Sequence, residues 1–440
     1  MRRLFADLTP LRTRDYRLLW LAGIPTMIGG NLTIFAVPVQ LYALTQNSAY
    51  VGLSGVFALI PLIVFGLWGG ALADHMDRRT LLIITSCGLA VASVFLWLQA
   101  ALALNNVWAV LCLLSVQQAF YAINSPTRSA AIPRIVPPEQ LPAANSLNTT
   151  VYQFGAIVGP LMAGVLLGWV DLSTLYLIDA ITCIAPIWAT IRLKAIPPSK
   201  GDQGSSGYGF RAVLDGFRYL AGNTVVLMSF VVDLIAMIFG MPRALFPQMA
   251  HESFGGPVEG GTAMALLSAA IAVGAVVGGV FSGWLPRIQR QGLAVILAIA
   301  VWGVAMIGFG VATGFAGGTP GTMLWIALLC LAIGGAADMV SSAFRNTILQ
   351  EAASDDVRGR LQGVFTVVVA GGPRVADAVH GAAAAAVGTT MAAAGGGGLV
   401  LVGLAIAAVC APVFVRYRVE RRGRDESDAL SEHAPGDDKV

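Results

Sequence analysis

Apolar runs long enough to cross roughly 30 Å of hydrocarbon recur along the whole chain, and every second gap between them holds neither lysine nor arginine. The runs lie near 17–44, 50–73, 80–104, 107–127, 143–169 and 173–193. After a polar stretch they resume near 223–249, 262–286, 292–313, 321–344, 361–387 and 395–416. A chain patterned this way uses the bilayer as part of its solvent. Charged residues make up only 12% of the 440, whereas soluble domains carry roughly 25%. The expectation is an all-α membrane protein with twelve transmembrane helices. Its units are an N-terminal six-helix bundle at 1–194, a linker at 195–222, a C-terminal six-helix bundle at 223–418 and a disordered tail at 419–440.

The positive charges orient the expected helices. Of 27 basic residues only Arg243 and Arg374 lie well inside a run; the others flank runs on one side, in the linker or in the termini. By the positive-inside rule both termini and the linker are cytoplasmic, and the membrane is the plasma (inner) membrane. The net charge of +3 follows from this topology and implies no nucleic-acid partner. All five cysteines fall inside runs without metal-ligand spacing and are read as small buried hydrophobes. The segment Met1 to Arg17 leads into a run too long for a signal peptide and is read as mature protein.

The two halves repeat each other. After the fourth run the chain reads Ser125-Pro-Thr-Arg128, and after the tenth it reads Ser342-Ala-Phe-Arg345, an offset that also carries Asn145 onto Gln362. Parallel six-helix repeats with a site between them near the midplane are one way transporters are built.

Between the second and third runs stands Gly70-Ala-Leu72-Ala73-Asp74-His-Met-Asp77-Arg78-Arg79. A close-packed helix end, an acid at the membrane boundary and two anchoring arginines form a gate-like group, in which Asp74 caps the next helix or pairs with an arginine. The fifth run holds Gly155-x-x-x-Gly159-Pro160-x-x-Ala163-Gly164, where glycines four apart let helices touch and proline bends the backbone. These segments resemble the major facilitator superfamily, the first its loop signature and the second its antiporter motif with Ala163 in place of one glycine. Asp77, where the general signature has glycine, resembles the enterobactin-exporter-like branch. So do Asp233 to Arg243, Gly334 to Arg345, Arg358 to Gly363 and Gly371 to Asp377. The resemblance implies two pseudo-symmetric bundles rocking about a central site, and hence a secondary active transporter exporting a small amphipathic molecule, a siderophore or a drug, by proton antiport. A facilitator or importer with the same fold is the alternative, and a non-transporting receptor a more distant one. The second-half counterpart of the loop, Gly283 to Arg290, has lost its acid, so a gating role for Asp74, Arg78, Arg79, Arg128 and Arg345 is expected to be asymmetric.

Ionisable groups inside a membrane need a cavity or a partner. Asp233 sits near the middle of its run and is the first choice for proton coupling. Arg243 attracts an anionic substrate, closes an outer gate or snorkels. Asp338 and Arg345, two turns apart, either pair structurally or serve a cytoplasmic gate; Arg374, Asp377 and His380 form either an ion pair or a proton relay. Asp179 belongs to a helix expected at the periphery and is read as structural. Asn31, Gln40, Gln117, Gln118 and Asn124 are polar cavity candidates in the first half, and Ser115 stands where many proton antiporters of the superfamily carry arginine. No G-x-x-x-x-G-K-[ST] loop, HExxH pair, Cys/His cluster or G-x-S-x-G elbow occurs. The reading is therefore neither an ATP-driven pump nor an enzyme, with no cofactor or metal, acting as a monomer.

Overall fold

Helix after helix begins where a short polar side chain can hold a free backbone N–H. Asn47 accepts from Ala49 N at 2.8 Å, Asp77 from Thr80 N at 3.2 Å, Asn106 from Trp108 N at 3.0 Å and Asn223 from Val226 N at 3.2 Å. The cap before the third helix is thus Asp77, the residue that departs from the superfamily signature; the Asp74 side chain lies outside the described residues. The computed structural model describes residues 7–197, 220, 222–352 and 355–418, so most of the expected linker and the whole expected tail fall outside it.

The first half comprises α1 (Arg14–Thr45), α2 (Ser48–His75), α3 (Arg78–Ala101), α4 (Val107–Ile135), α5 (Leu141–Leu166), α6 (Leu172–Thr182) and α7 (Ile184–Ile191). The second comprises α8 (Thr224–Gly240), α9 (Phe246–Glu252), α10 (Thr262–Val280), α11 (Gln291–Gly314), α12 (Thr322–Ala352), α13 (Asp355–Val387), α14 (Thr389–Cys410) and α15 (Pro412–Val415). Two expected spans are each broken in two. The sixth divides at Cys183, and the seventh at Met241-Pro242, where proline cannot continue the backbone ladder.

Among the described residues eleven segments are long and apolar enough to cross a membrane, taking α6 with α7 and α8 with α9 as single crossings. The remaining long helix, α13, has 33 residues and carries Arg374, Asp377 and His380, which make it the least apolar of the set. Among the described residues eleven of the twelve expected crossings therefore meet the length and hydropathy requirement. No strand occurs among the described residues.

The same helix pairings recur in both halves. In the first, α1 packs on α5 and α6, α3 on α4 and α6, and α2 on α4; in the second, α8 packs on α13 and α14, α11 on α12 and α14, and α10 on α12. The repeat glimpsed in a few residues is a repeat of packing: two pseudo-symmetric bundles. They meet along α2 against α13 and α5 against α10.

Candidate functional site

The bundles are sealed at the end away from the two termini. There α2 and α13 approach backbone to backbone: a Cβ on Gly52 would stand 2.5 Å from Asp377 O and 2.8 Å from Gly381 Cα. Only glycine leaves room for this crossing. Gly55, one turn on, faces the backbone of Arg374 and the Cβ of Asp377. Hydrogen bonds tie the same end together. Tyr42 donates to Glu252 Oε1 at 3.1 Å, Ser48 donates to Gln248 Oε1 at 2.6 Å, and Gln248 Nε2 donates to both Glu252 oxygens at 2.9 and 3.0 Å. Away from this end Tyr152 on α5 is exposed, as are Val276, Val277 and Val280 on α10. Tyr121 on α4, also exposed, lies within electrostatic reach of Tyr152, of Arg128 on its own helix and of Arg374 on α13. A second aromatic ring and two cations, drawn from both bundles, therefore gather around Tyr121.

The second half holds a buried charge cluster. Arg345 on α12 forms an ion pair with Asp233 on α8, both nearly inaccessible, and its other terminal nitrogen lies 3.9 Å from Asp338, whose side chain is 38% exposed. The α-helical repeat places Asp338 two turns from Arg345 on one face, so α12 presents an acid and a base together to Asp233. Asp233, the first choice for proton coupling, is thus paired, and Arg345 lies in the bundle interior. The guanidinium satisfies a carboxylate that the apolar core would otherwise leave uncompensated.

The first half buries a carboxylate by different means. Asp179 on α6 accepts from Thr33 of α1 at 2.7 Å, Ser93 of α3 at 2.8 Å and Gln117 of α4 at 3.3 Å, joining four helices. Beside it, Gln40 and Gln99 exchange amide hydrogen bonds at 3.1 and 3.0 Å, and Tyr176 donates to Gln40 at 2.8 Å. Gln117 and Gln40 thus point into the bundle and not toward the opposite half. Asn124 likewise donates to Thr85 at 2.8 Å on α3, and Asn31 to Met27 O of its own helix at 2.7 Å. Ser115, at the place of the antiporter arginine, bonds Phe57 O of α2 at 2.7 Å.

The remaining residues take these places. Arg128 donates to Leu19 O on α1 at 2.8 Å. Arg78 is buried with its backbone N–H on Ile196 O, while Arg79 donates to Thr190 O at 3.3 Å and Ile191 O at 2.7 Å, bracing α7. Gly155 faces Met27 and Asn31, Gly159 faces Asn31, and Gly164 meets Ala265 across the seam; Pro160 lies buried among them. Arg374, Asp377 and His380 do not line up. Asp377 looks across to Gly55 and feels the charges of Arg374 and of exposed Arg243, with no ion pair within 4 Å among the described residues. His380 is buried on the opposite side, beside Gly396 and Phe239 O. Arg358 and Arg360 have side chains outside the described residues. Sequence reading passed over Gly52, Gly55 and Gly381, although small residues at helical spacing on two runs were visible; Glu252 and Gln248 left no signal, because their partners lie some two hundred positions away.

Residues 5–427 match the transmembrane secretion effector family. Enterobactin exporter EntS from Shigella boydii serotype 18 is 27% identical over 378 residues, covering 85% of this chain and 86% of that protein; EntS from Citrobacter koseri is 27% identical over 377 residues with the same coverage. Among solved structures, a bacterial homolog of the human lysosomal transporter Spinster superposes with a TM-score of 0.72 at 15% identity, covering 94% of this chain and 100% of that one. A bacterial homologue of the iron transporter ferroportin gives 0.66 at 15% identity, with 93% and 99% covered. With its paired bundles, this chain belongs to the transmembrane secretion effector family of the major facilitator superfamily, and it is a multi-pass membrane transporter, not an enzyme.

Proposed function

We propose that the protein exports a small amphipathic molecule by alternating access, exchanging it against protons, with both termini in the cytoplasm. The observation that carries this reading is the asymmetry between the ends: two bundles in backbone contact at one end and, away from it, the exposed rings of Tyr121 and Tyr152 with Arg128 and Arg374 within electrostatic reach of Tyr121. Such a geometry suits loading from the side of the termini. Rings of Tyr121 and Tyr152 offer stacking surface, and Arg128 and Arg374 offer positive charge. That chemistry favours an anionic aromatic cargo of the siderophore kind over a cationic drug, in keeping with relatives named as enterobactin exporters. Coupling falls to the second half, where Asp233, Arg345 and Asp338 form one cation between two acids; Asp338 is the acid with access to solvent. Protonation of either acid frees Arg345 to turn to the other, which gives α8 and α12 two discrete arrangements. Asp74 with Arg78 and Arg79 stabilises one gate state.

The test is substrate-driven proton movement in proteoliposomes, comparing catechol siderophores with cationic drugs. Proton flux with catechols and none with drugs is the expected result. Catechol counterflow without proton movement replaces antiport by a facilitator mechanism. Silence with both, from folded protein, ends the exporter reading for these classes.

A further inference from the structure

The loop between α2 and α3 and its repeat between α10 and α11 both end in two arginines, but only one pair is used by the fold. In the first half Arg79 is spent on carbonyls of α7 and Arg78 is buried. In the second half Arg287 and Arg290 are exposed, and among the described residues neither side chain has an ion-pair or hydrogen-bond partner. The acid of the signature is missing from this loop. Two cations are therefore held at the membrane boundary with no partner among the described residues to neutralise them.

Directly beneath them opens a trough of about 820 Å³ between α10, α11 and α12, lined by Phe281, Leu293, Leu297, Val301, Ile333 and Val340 among others. Arg287, Arg290 and Trp284 stand at its rim. Phe281, Leu297, Val301 and Ile333 are exposed although apolar, as a lipid-facing wall requires. From Arg290 to Val301 the trough runs along eleven residues of helix, about 16 Å at 1.5 Å each. Small residues on the facing helices, Gly278, Ala294, Ala298, Ala336 and Ala337, make it a recess instead of a ridge. The rim lies at the end of the termini, since Gly292 adjoins Phe414 O and Tyr417.

We propose that this trough is a binding site for one anionic phospholipid, its phosphate on Arg287 and Arg290 and an acyl chain along α11. Charge complementarity selects this occupant: a zwitterionic lipid would fill the trough equally well but leave the two arginines uncompensated. Basic pockets between transmembrane helices on the positive side hold anionic headgroups in this way. Trp284 at the rim suits the headgroup level. The site lies outside the space between the bundles and does not depend on what the protein carries.

Native mass spectrometry of the full chain in detergent, titrated with phosphatidylglycerol or phosphatidylcholine of the same acyl chains, tests this. The expected result is one phosphatidylglycerol retained about 25-fold more tightly than phosphatidylcholine, roughly fivefold for each arginine. The double variant R287Q/R290Q should bring the two lipids to parity without lowering the melting temperature, because both side chains are exposed. Ala294→Trp, which fills the trough and spares the arginines, should abolish retention of either lipid. Equal retention of both lipids by the unaltered protein overturns the proposal. So does displacement of phosphatidylglycerol by millimolar inorganic phosphate, which would make the arginines a free-anion site.

Discussion

Arg128 in the first half ends on the carbonyl of Leu19, whereas Arg345, its counterpart in the repeat, ends on the carboxylate of Asp233. The buried acids differ in the same sense. Asp179 rests on the hydroxyls of Thr33 and Ser93 and the amide of Gln117, and Asp233 rests on a cation with a second acid nearby. The first half therefore buries its charge in a web of neutral hydrogen bonds that spans four helices. The second half buries charge against charge. A neutral web has one low-energy arrangement, because every donor is committed. A cation between two acids has two. On the proposed mechanism one fold, repeated, thus supplies a rigid bundle and a switchable one.

The sharpest break of this comparison is Asp233→Asn. It leaves Arg345 buried with only Asp338, 3.9 Å away and half exposed, to answer it; stranding one member of a buried pair costs about 3–5 kcal/mol. Uphill transport should vanish and the melting temperature should fall. The double replacement Asp233→Leu with Arg345→Met should recover the melting temperature but not transport. Recovery of both would make the cluster structural only.

Asp179→Asn comes next. Its partners donate to a neutral carbonyl nearly as well as to a carboxylate, so the loss should be about 1–3 kcal/mol of stability, with coupled transport retained. A variant that stays folded yet loses proton coupling would move the switch to the first half. The smallest effect is expected where the halves touch. Tyr42→Phe removes one hydrogen bond to Glu252, about 1 kcal/mol, and should raise accessibility at the sealed end about fivefold, read by cysteine labelling of Gln46→Cys. Unchanged labelling would assign the seal to the glycine crossing alone.

Much of this protein was fixed by pattern alone. Recurrent apolar runs and one-sided arginines require membrane helices, because the bilayer core tolerates neither open backbone nor free charge. The superfamily could be reached from residues 70–79 and 155–164, where short motifs carry local geometry. Asp77 shows how far local reading goes: its oddity in the signature is explained by a cap three residues long. Partnership across the chain was not legible. Asp233 and Arg345 stand more than one hundred positions apart, as do Thr33 and Asp179, and either acid could have faced a cavity or a neighbour. Helical periodicity states which side of a helix a residue occupies; only the packing of helices against one another decides what waits there. Tertiary structure therefore chose which charges are paired, which polar groups form the web, and which two arginines find no partner among the described residues.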